Sequence, residues 1–169
     1  ITILRTSDYS VVFSDTNSAL RGVFSPDSKM FFCPASESPQ WLGIVYSVDI
    51  SRHPYQVRHK AFSDGSVLQI VPSRNCAKWY VYLTAGPFVS AFEVYDVRAD
   101  SVIFRDVLVP GGGQLVLSPD ERQVIYTNPG GPVYGPSAPA GFSIYDVRAN
   151  SSRDIFDDDF FSFFWFGDT

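Results

Sequence analysis

The amino-acid sequence contains an internal repeat with a period of 46 to 50 residues, which limits the folds open to it more than any other feature. One marker of the repeat is a Ser-Pro-Asp motif at residues 25–27 and again at residues 118–120. Between them, Val-Pro-Ser at residues 71–73 stands in the same context, so that the three prolines are 46 and 47 residues apart.

A second marker recurs with a similar spacing. An aspartate follows an apolar or aromatic residue at Asp49, Asp96 and Asp146, at intervals of 47 and 50 residues. The last interval is longer because it contains an insert rich in glycine and proline, residues 128–141. Since two independent markers advance together, the chain consists of similar units in series.

Each unit shows the pattern of four short β-strands separated by polar turns. The strands predicted for the second unit are residues 67–71, 79–84, 91–97 and 102–109, and those for the third are residues 114–117, 124–127, 142–147 and 153–156. No stretch of helical length carries capping residues and an apolar stripe with a 3.6-residue period. The sequence therefore predicts an all-β fold.

Four strands within roughly 40–50 residues is the period of a β-propeller blade. The Ser-Pro-Asp turns and the Tyr-Asp pairs at residues 95–96 and 145–146 resemble the WD-repeat-like β-propeller superfamily. Because the Gly-His pair of true WD repeats is missing from every unit, the sequence is more similar to the looser SPDG- and YVTN-type propeller repeats. This resemblance implies four-stranded antiparallel blades and says little about function.

The repeat predicts about three complete blades with partial blades at both ends. The predicted units are the outer strand of a preceding blade (residues 1–19), three blades (residues 20–66, 67–113 and 114–159, the last with its long loop 128–141) and the innermost strand of a following blade (residues 160–169). A closed propeller has about 4–8 blades. We therefore expect the chain to form part of a larger propeller.

The predicted last strand is almost entirely aromatic. Its large side chains are Phe160, Phe161, Phe163, Phe164, Trp165 and Phe166. Leaving them in water would forfeit on the order of 10 kcal/mol, which is comparable with the stability of a whole domain. We expect that either the natural chain continues beyond Thr169 or a protein partner completes the sheet, with Phe163 and Trp165 among the contacts.

Composition excludes some partners. The chain of 169 residues has a formal net charge of −5, which argues against binding nucleic acid through a basic surface. No apolar run approaches the ~20 residues of a membrane-spanning helix. The 15 aspartates against 3 glutamates, with only 3 lysines, lean towards an extracytoplasmic setting, but the sequence assigns no compartment.

No residue pattern indicates a catalytic group or a cofactor site. The dense acidic cluster of Asp154, Asp157, Asp158 and Asp159 offers oxygen ligands for Ca²⁺, but its spacing does not match a calcium loop. The alternative is a solvated loop between blades. The two histidines, His53 and His59, have no third ligand at metal-site spacing, and we predict no metal site.

The remaining candidates are contact residues. Tyr134 lies in the long insert, and Arg98 and Arg148 follow the two Tyr-Asp pairs, where they could reach a rim of the propeller. Cys33 and Cys76 do not occupy equivalent positions in the repeat, so two reduced thiols are the default and a disulfide is the alternative.

These features favour a non-catalytic propeller scaffold that mediates protein–protein binding. One alternative is the propeller portion of an enzyme whose catalytic residues lie outside this chain. That enzyme would be a prolyl-oligopeptidase-type serine peptidase with a gating domain, or a lactonase- or dehydrogenase-type propeller. Another alternative is an assembly subunit completed by neighbouring chains.

Overall fold

A computed structural model describes residues 2–4, 11–14, 22–37, 42–52, 54–62, 65–85, 89–108, 113–128 and 141–156. All regular secondary structure within these ranges is β-strand. The strands are β1 (Thr2–Leu4), β2 (Val11–Ser14), β3 (Val23–Phe24), β4 (Met30–Glu37), β5 (Leu42–Asp49), β6 (Gln56–Phe62), β7 (Ser66–Pro72), β8 (Lys78–Ala85), β9 (Val89–Asp96), β10 (Ser101–Leu108), β11 (Leu115–Leu117), β12 (Gln123–Asn128), β13 (Gly141–Asp146) and β14 (Ser151–Phe156).

The strands form three four-stranded antiparallel sheets, each made of consecutive strands in chain order. Sheet 1 contains β3–β6, sheet 2 contains β7–β10 and sheet 3 contains β11–β14. The predicted all-β class and the four-stranded antiparallel unit are confirmed. Near the N-terminus, where the sequence predicted one outer strand, β1 and β2 pair antiparallel as a two-stranded sheet. The aromatic segment predicted as a following innermost strand lies outside the described residues.

Burial follows the position of a strand within its sheet. The central strand β9 is buried along nearly its whole length, including its polar residues Ser90 and Glu93. The fourth strand β6 is mostly exposed, and only its residues Lys60 and Phe62 are half-buried or buried. Side chains alternate between the two faces of a strand, so each central strand contributes to both neighbouring interfaces.

Two hydrophobic cores fill the spaces between successive sheets. The core between sheets 1 and 2 contains Phe32, Val45, Phe62, Val67, Ile70, Trp79, Val81, Leu83 and Tyr95. The core between sheets 2 and 3 contains Tyr80, Tyr82, Phe92, Val94, Leu108, Leu115, Val124, Tyr126 and Tyr145. The sheets therefore pack face to face in series.

The first turn of each sheet is built on a serine. The backbone N–H groups of Ser25, Ser73 and Ser118 donate to the carbonyl oxygens five residues later, over 2.9, 2.9 and 2.8 Å. Aligning the repeat on Pro72 was therefore wrong by two residues. Pro72 ends strand β7, and Arg74 occupies the place of the prolines in the other two turns. The serine and the Asp or Asn two residues later, which bond to the backbone, define this turn, whereas its proline is replaceable.

The same turns require a left-handed residue. Ser28, Cys76 and Glu121 have φ values of 56°, 54° and 57°, at the position where related repeats have glycine. Residues other than glycine adopt this conformation at a cost. Their shared strain supports the structural alignment of the three turns.

Candidate functional site

The two turns at one end of each sheet lie side by side. The residue after each third strand donates its N–H to the first turn of the same sheet, through Ile50 to Lys29 at 2.8 Å, Val97 to Ala77 at 3.0 Å and Val147 to Arg122 at 2.9 Å. We call this edge of the three sheets the turn rim. It consists of residues 25–29, 50–52, 54–55, 73–77, 97–100, 118–122 and 147–150.

Aspartates that resemble catalytic acids are engaged in holding this rim. The Asp96 carboxylate accepts the N–H groups of Arg98 and Ala99, both at 2.9 Å. Asp146 accepts those of Arg148 and Ala149 at 2.9 and 2.7 Å. The backbone hydrogen bond from Ala99 is the main cause that lowers the pKa of Asp96 below its ordinary value. Each aspartate thus fixes the turn that follows its strand.

The Ser-Pro-Asp motifs act in the same way. Ser25 and Ser118 donate their hydroxyls to Asp27 and Asp120, each at 2.7 Å. These hydroxyl bonds are the largest cause of the lowered pKa of both carboxyls. In sheet 2, Asn75 replaces the aspartate and accepts the Ser73 hydroxyl at 3.0 Å.

Two of the predicted contact residues lie at corresponding places on the turn rim. Arg98 and Arg148 follow Asp96 and Asp146 in sheets 2 and 3, and both side chains are exposed. The structure thus presents them at the same level on adjacent sheets. The other predicted contacts, Tyr134, Phe163 and Trp165, lie outside the described residues.

The predicted acidic cluster is only partly described. Asp154 lies exposed on β14, and its carboxylate accepts the hydroxyl of Ser143 on the neighbouring strand at 2.5 Å. Asp157, Asp158 and Asp159 fall outside the described residues. Among the residues that the structure does describe, no three His, Cys, Asp or Glu side chains are grouped to hold a metal ion.

The two cysteines do not form a disulfide with each other, and they lie on opposite sides of sheet 1. Cys33 is buried with Phe31 and Val48 on the face of sheet 1 that points away from sheet 2. Cys76 lies in the first turn of sheet 2 and packs against the core between sheets 1 and 2. Burial raises the pKa of the Cys76 thiol above its ordinary value.

A cavity of about 360 Å³ opens at the turn rim between sheets 1 and 2, and we call it the inter-sheet cleft. Met30, Phe32 and Trp79 give it an apolar lining. The strand β6 contributes Arg58 and Lys60, which reach the cleft from the same face of their strand. Sequence reasoning did not find this site, because its residues come from two repeats and form no local motif.

An ion pair joins the two sheets across the cleft. The Lys60 ammonium donates to Asp100 at 2.7 Å, and the Tyr95 hydroxyl donates to the same carboxylate. The Lys60 nitrogen also lies 5.0 Å from the centre of the Tyr95 ring. The bond to Asp100 is the first cause that raises the pKa of Lys60, and the same bond lowers the pKa of Asp100.

Two side chains that line the cleft, Arg58 and Trp79, lack the polar partners that the other polar lining residues discussed here have within the described part of the chain. Asp49 is paired with Arg52 at 3.4 Å, whereas Arg58, among the described residues, has no carboxylate in ion-pair contact. Trp79 is 6% exposed, and its indole Nε1–H has no hydrogen-bond partner within the described part of the chain. This N–H is buried within the wall of the cleft, where a donor without a partner costs free energy.

The described residues include no helix that could cross a membrane. The chain matches no protein-family model and no curated protein sequence.

Several solved structures resemble the fold. The chain aligns over 92% of its length with Kuenenia stuttgartiensis hydrazine synthase, with a TM-score of 0.68, 16% identity and 47% of that chain covered. The chain also aligns over 92% of its length with the β-propeller domain of the Trilobed protease from Pyrococcus furiosus, with a TM-score of 0.61, 12% identity and 48% of that chain covered. TolB from Acinetobacter baumannii is similar over 90% of this chain and 36% of its own, with a TM-score of 0.62 and 16% identity.

The three sheets are blades of a β-propeller. Identities this low establish the fold alone. The chain spans about half or less of the length of these structures.

Proposed function

We propose that this chain is a non-catalytic segment of a β-propeller that mediates protein–protein binding through its turn rim. The propeller would be completed by further blades or by a partner, with residues 1–19 and 160–169 belonging to blades shared with them. In this arrangement the units 20–66, 67–113 and 114–159 are the complete blades.

The observation that carries this proposal is that the aspartates of the turn rim are engaged in hydrogen bonds to the backbone. Asp96 and Asp146 accept two backbone N–H groups each, which leaves them to stabilise turns. The arginines that follow, Arg98 and Arg148, remain exposed at corresponding positions of adjacent blades. A rigid scaffold that repeats exposed cations at a fixed spacing is suited to contact an acidic surface. Tyr134, Phe163 and Trp165 remain proposed contacts of the same partner.

Charge reversal on the rim tests this role. The double variant Arg98→Glu with Arg148→Glu should lose a partner that co-purifies stoichiometrically with the native protein. Arg153→Glu is the matched control, because Arg153 is exposed on the outer strand β14 and lies off the rim. Equal recovery of the partner with both variants, or a native protein that is monomeric and carries no partner, would rule the proposal out.

A second candidate is the propeller portion of a peptidase. The similarity to the propeller domain of the Trilobed protease favours it, since that domain is part of a protease. The catalytic residues would then lie outside these 169 residues. The intact mass of the native gene product distinguishes the two functions. A mass well above 18.8 kDa, with a hydrolase domain in the additional sequence, would favour the peptidase. A mass of 18.8 kDa would favour a scaffold or an assembly subunit completed by neighbouring chains.

A further inference from the structure

The two interfaces between sheets place different residues at one repeated position. Arg58 pairs with Ser47 on the third strand of sheet 1, two residues before Asp49. Phe104 pairs with Val94 on the third strand of sheet 2, two residues before Asp96. Arg58 and Phe104 are therefore structural counterparts, and each projects towards the next sheet.

Phe104 fills its interface. Its ring centre lies 4.7 Å from that of Tyr145 and 5.9 Å from that of Phe92. In the other interface Tyr95 takes the place of Tyr145, since each precedes the aspartate that ends the third strand. In this interface the residue at the position of Phe104 is Arg58, which has a flexible cationic side chain, and the cleft of about 360 Å³ lies beside Tyr95. The fold thus accepts an aromatic ring at this place, and sheet 1 does not supply one.

The walls of the cleft would hold such a ring. Trp79 packs against Phe32 and Tyr95, with ring centres at 5.4 and 5.3 Å, so the apolar wall is pre-formed. The volume lies within the range of small-ligand pockets, roughly 300–1,000 Å³. The cleft is large enough for one ring with a short polar substituent.

The charges around the cleft favour an anionic substituent. Arg52, Arg58 and Lys60 face two carboxylates, Asp49 and Asp100. Lys60 is paired with Asp100 and Arg52 with Asp49, whereas Asp49 attracts Arg58 only from beyond ion-pair distance, so Arg58 is the cation of the three that a ligand could pair with. A guanidinium binds a carboxylate through two parallel hydrogen bonds.

We propose that the inter-sheet cleft binds an aromatic carboxylate, with its ring against Tyr95 and Trp79 and its carboxylate on Arg58. The site opens at the turn rim but does not include Arg98 or Arg148, so the proposal does not depend on the contacts proposed above. The ligand is a small aromatic acid or the free C-terminal aromatic residue of a peptide, which share this chemistry.

Calorimetric titration of the full chain with phenylacetate tests the proposal, and phenylacetamide is the matched neutral probe. Phenylacetate should bind at least about tenfold more tightly than the amide, because only the acid forms charge-assisted bonds. Acetyl-Gly-Phe with a free carboxylate identifies the source. Tighter binding of this peptide supports a chain end, and tighter binding of phenylacetate supports a small molecule.

Variants at the repeated position make the test specific. Arg58→Gln should weaken phenylacetate binding about tenfold or more, whereas Arg153→Gln, its counterpart on sheet 3, should leave binding unchanged. Arg58→Phe should abolish binding without lowering the melting temperature, since it imitates Phe104. Bound phenylacetate should also slow alkylation of Cys76, which lines the cleft.

Clear results would overturn the proposal. These are equal binding of acid and amide, unchanged binding in Arg58→Gln, or no binding of either acid to wild-type protein whose circular dichroism shows it folded.

Discussion

The two interfaces between sheets use the same backbone positions but are filled in opposite ways. Between sheets 2 and 3, Phe92 stacks on Tyr126 at 4.2 Å and contacts the edge of Tyr145 at 5.6 Å. Between sheets 1 and 2, the counterpart of Phe92 is Val45, and the outer part of the interface holds the Lys60–Asp100 ion pair and an open cleft. The comparison shows that the repeated turns occur at the same places in each sheet, whereas the side chains decide how completely each interface between sheets is filled.

The inner strands strengthen this contrast. The side-chain amide of Gln69 on β7 forms two hydrogen bonds with the backbone of Leu115 on β11, donating to its carbonyl at 3.0 Å and accepting from its N–H at 2.9 Å. Such paired bonds between neighbouring sheets satisfy backbone groups that a short innermost strand leaves unpaired. We therefore expect sheets 2 and 3 to be the more stable pair.

Truncation of the stacked ring should have the largest effect. Phe92→Ala should lower the free energy of unfolding by about 3–5 kcal/mol, because it removes a fully buried ring and leaves a cavity. Its counterpart Val45→Ala, also fully buried, should cost only about 1–2 kcal/mol. Urea unfolding of both variants measures the difference. Equal losses would contradict the asymmetry of the two interfaces.

A methyl group added at Gly43, where sheet 1 lies against the backbone at the start of sheet 2, should have the next largest effect. A Cβ on Gly43 would lie 2.3 Å from the carbonyl oxygen of Gly65 and 2.7 Å from the backbone N of Val67. Because backbone atoms cannot rotate away, Gly43→Ala should cost about 1–3 kcal/mol and loosen this interface. Hydrogen exchange should then accelerate in β5 and β7 more than in β11–β13, and uniform acceleration would argue against a local effect.

The repeat made much of this architecture predictable. Ser25, Asp27 and their counterparts carry local turn chemistry, so the sequence shows where each sheet begins and that its strands are antiparallel. The alignment of Pro72 with Pro26 and Pro119 was wrong because it relied on the proline, whereas the turn depends on Ser73 and Asn75. The inter-sheet cleft was not predictable, because its character depends on Arg58 and Trp79, which come from different repeats and meet only after the sheets pack.

Alkaline pH should weaken the core between sheets 2 and 3. Burial raises the pKa of Tyr80 above its ordinary value, and it raises the pKa of Tyr145 to about 12, both in the core between sheets 2 and 3. A tyrosine whose folded pKa is raised contributes full stability below its unfolded pKa of about 10, and this contribution is lost as the pH rises towards the folded value. Stability should therefore fall above about pH 10.

Replacing Tyr80 tests whether the ionisation of buried tyrosines causes this loss of stability. Its counterpart in sheet 1 is already a phenylalanine, Phe32. Tyr80 pairs with Val71 and Phe32 pairs with Val23, and each valine lies two residues before the serine of the first turn. Tyr80→Phe should change stability little at neutral pH and reduce the alkaline loss by up to about 1 kcal/mol per pH unit. Denaturant unfolding at a series of pH values measures the slope. An unchanged slope would show that Tyr80 does not resist ionisation in the folded state.

The smallest expected effect concerns the ion pair that crosses the cleft. Asp100→Asn reproduces the third sheet, where Asn150 has a similar φ of 52° against 50° and accepts the Tyr145 hydroxyl at 2.7 Å. The substitution thus keeps the turn and removes the charge that Lys60 faces. Exposed ion pairs contribute little, so the variant should melt only slightly below the wild type at neutral pH.

The pH dependence of that small difference identifies its origin. The folded pKa of Asp100 is lowered by its bond to Lys60, so its contribution is present above the unfolded pKa of about 3.9 and is lost as the pH falls through the folded value. The difference in melting temperature between wild type and Asp100→Asn should therefore shrink progressively as the pH falls below about 3.9, and it should also shrink in about 1 M salt. A difference that persists under both conditions would mean that Asp100 stabilises its turn rather than the contact between sheets 1 and 2. In that case the apolar core, and not this ion pair, would be what holds sheets 1 and 2 together at the cleft among the residues that the structure describes.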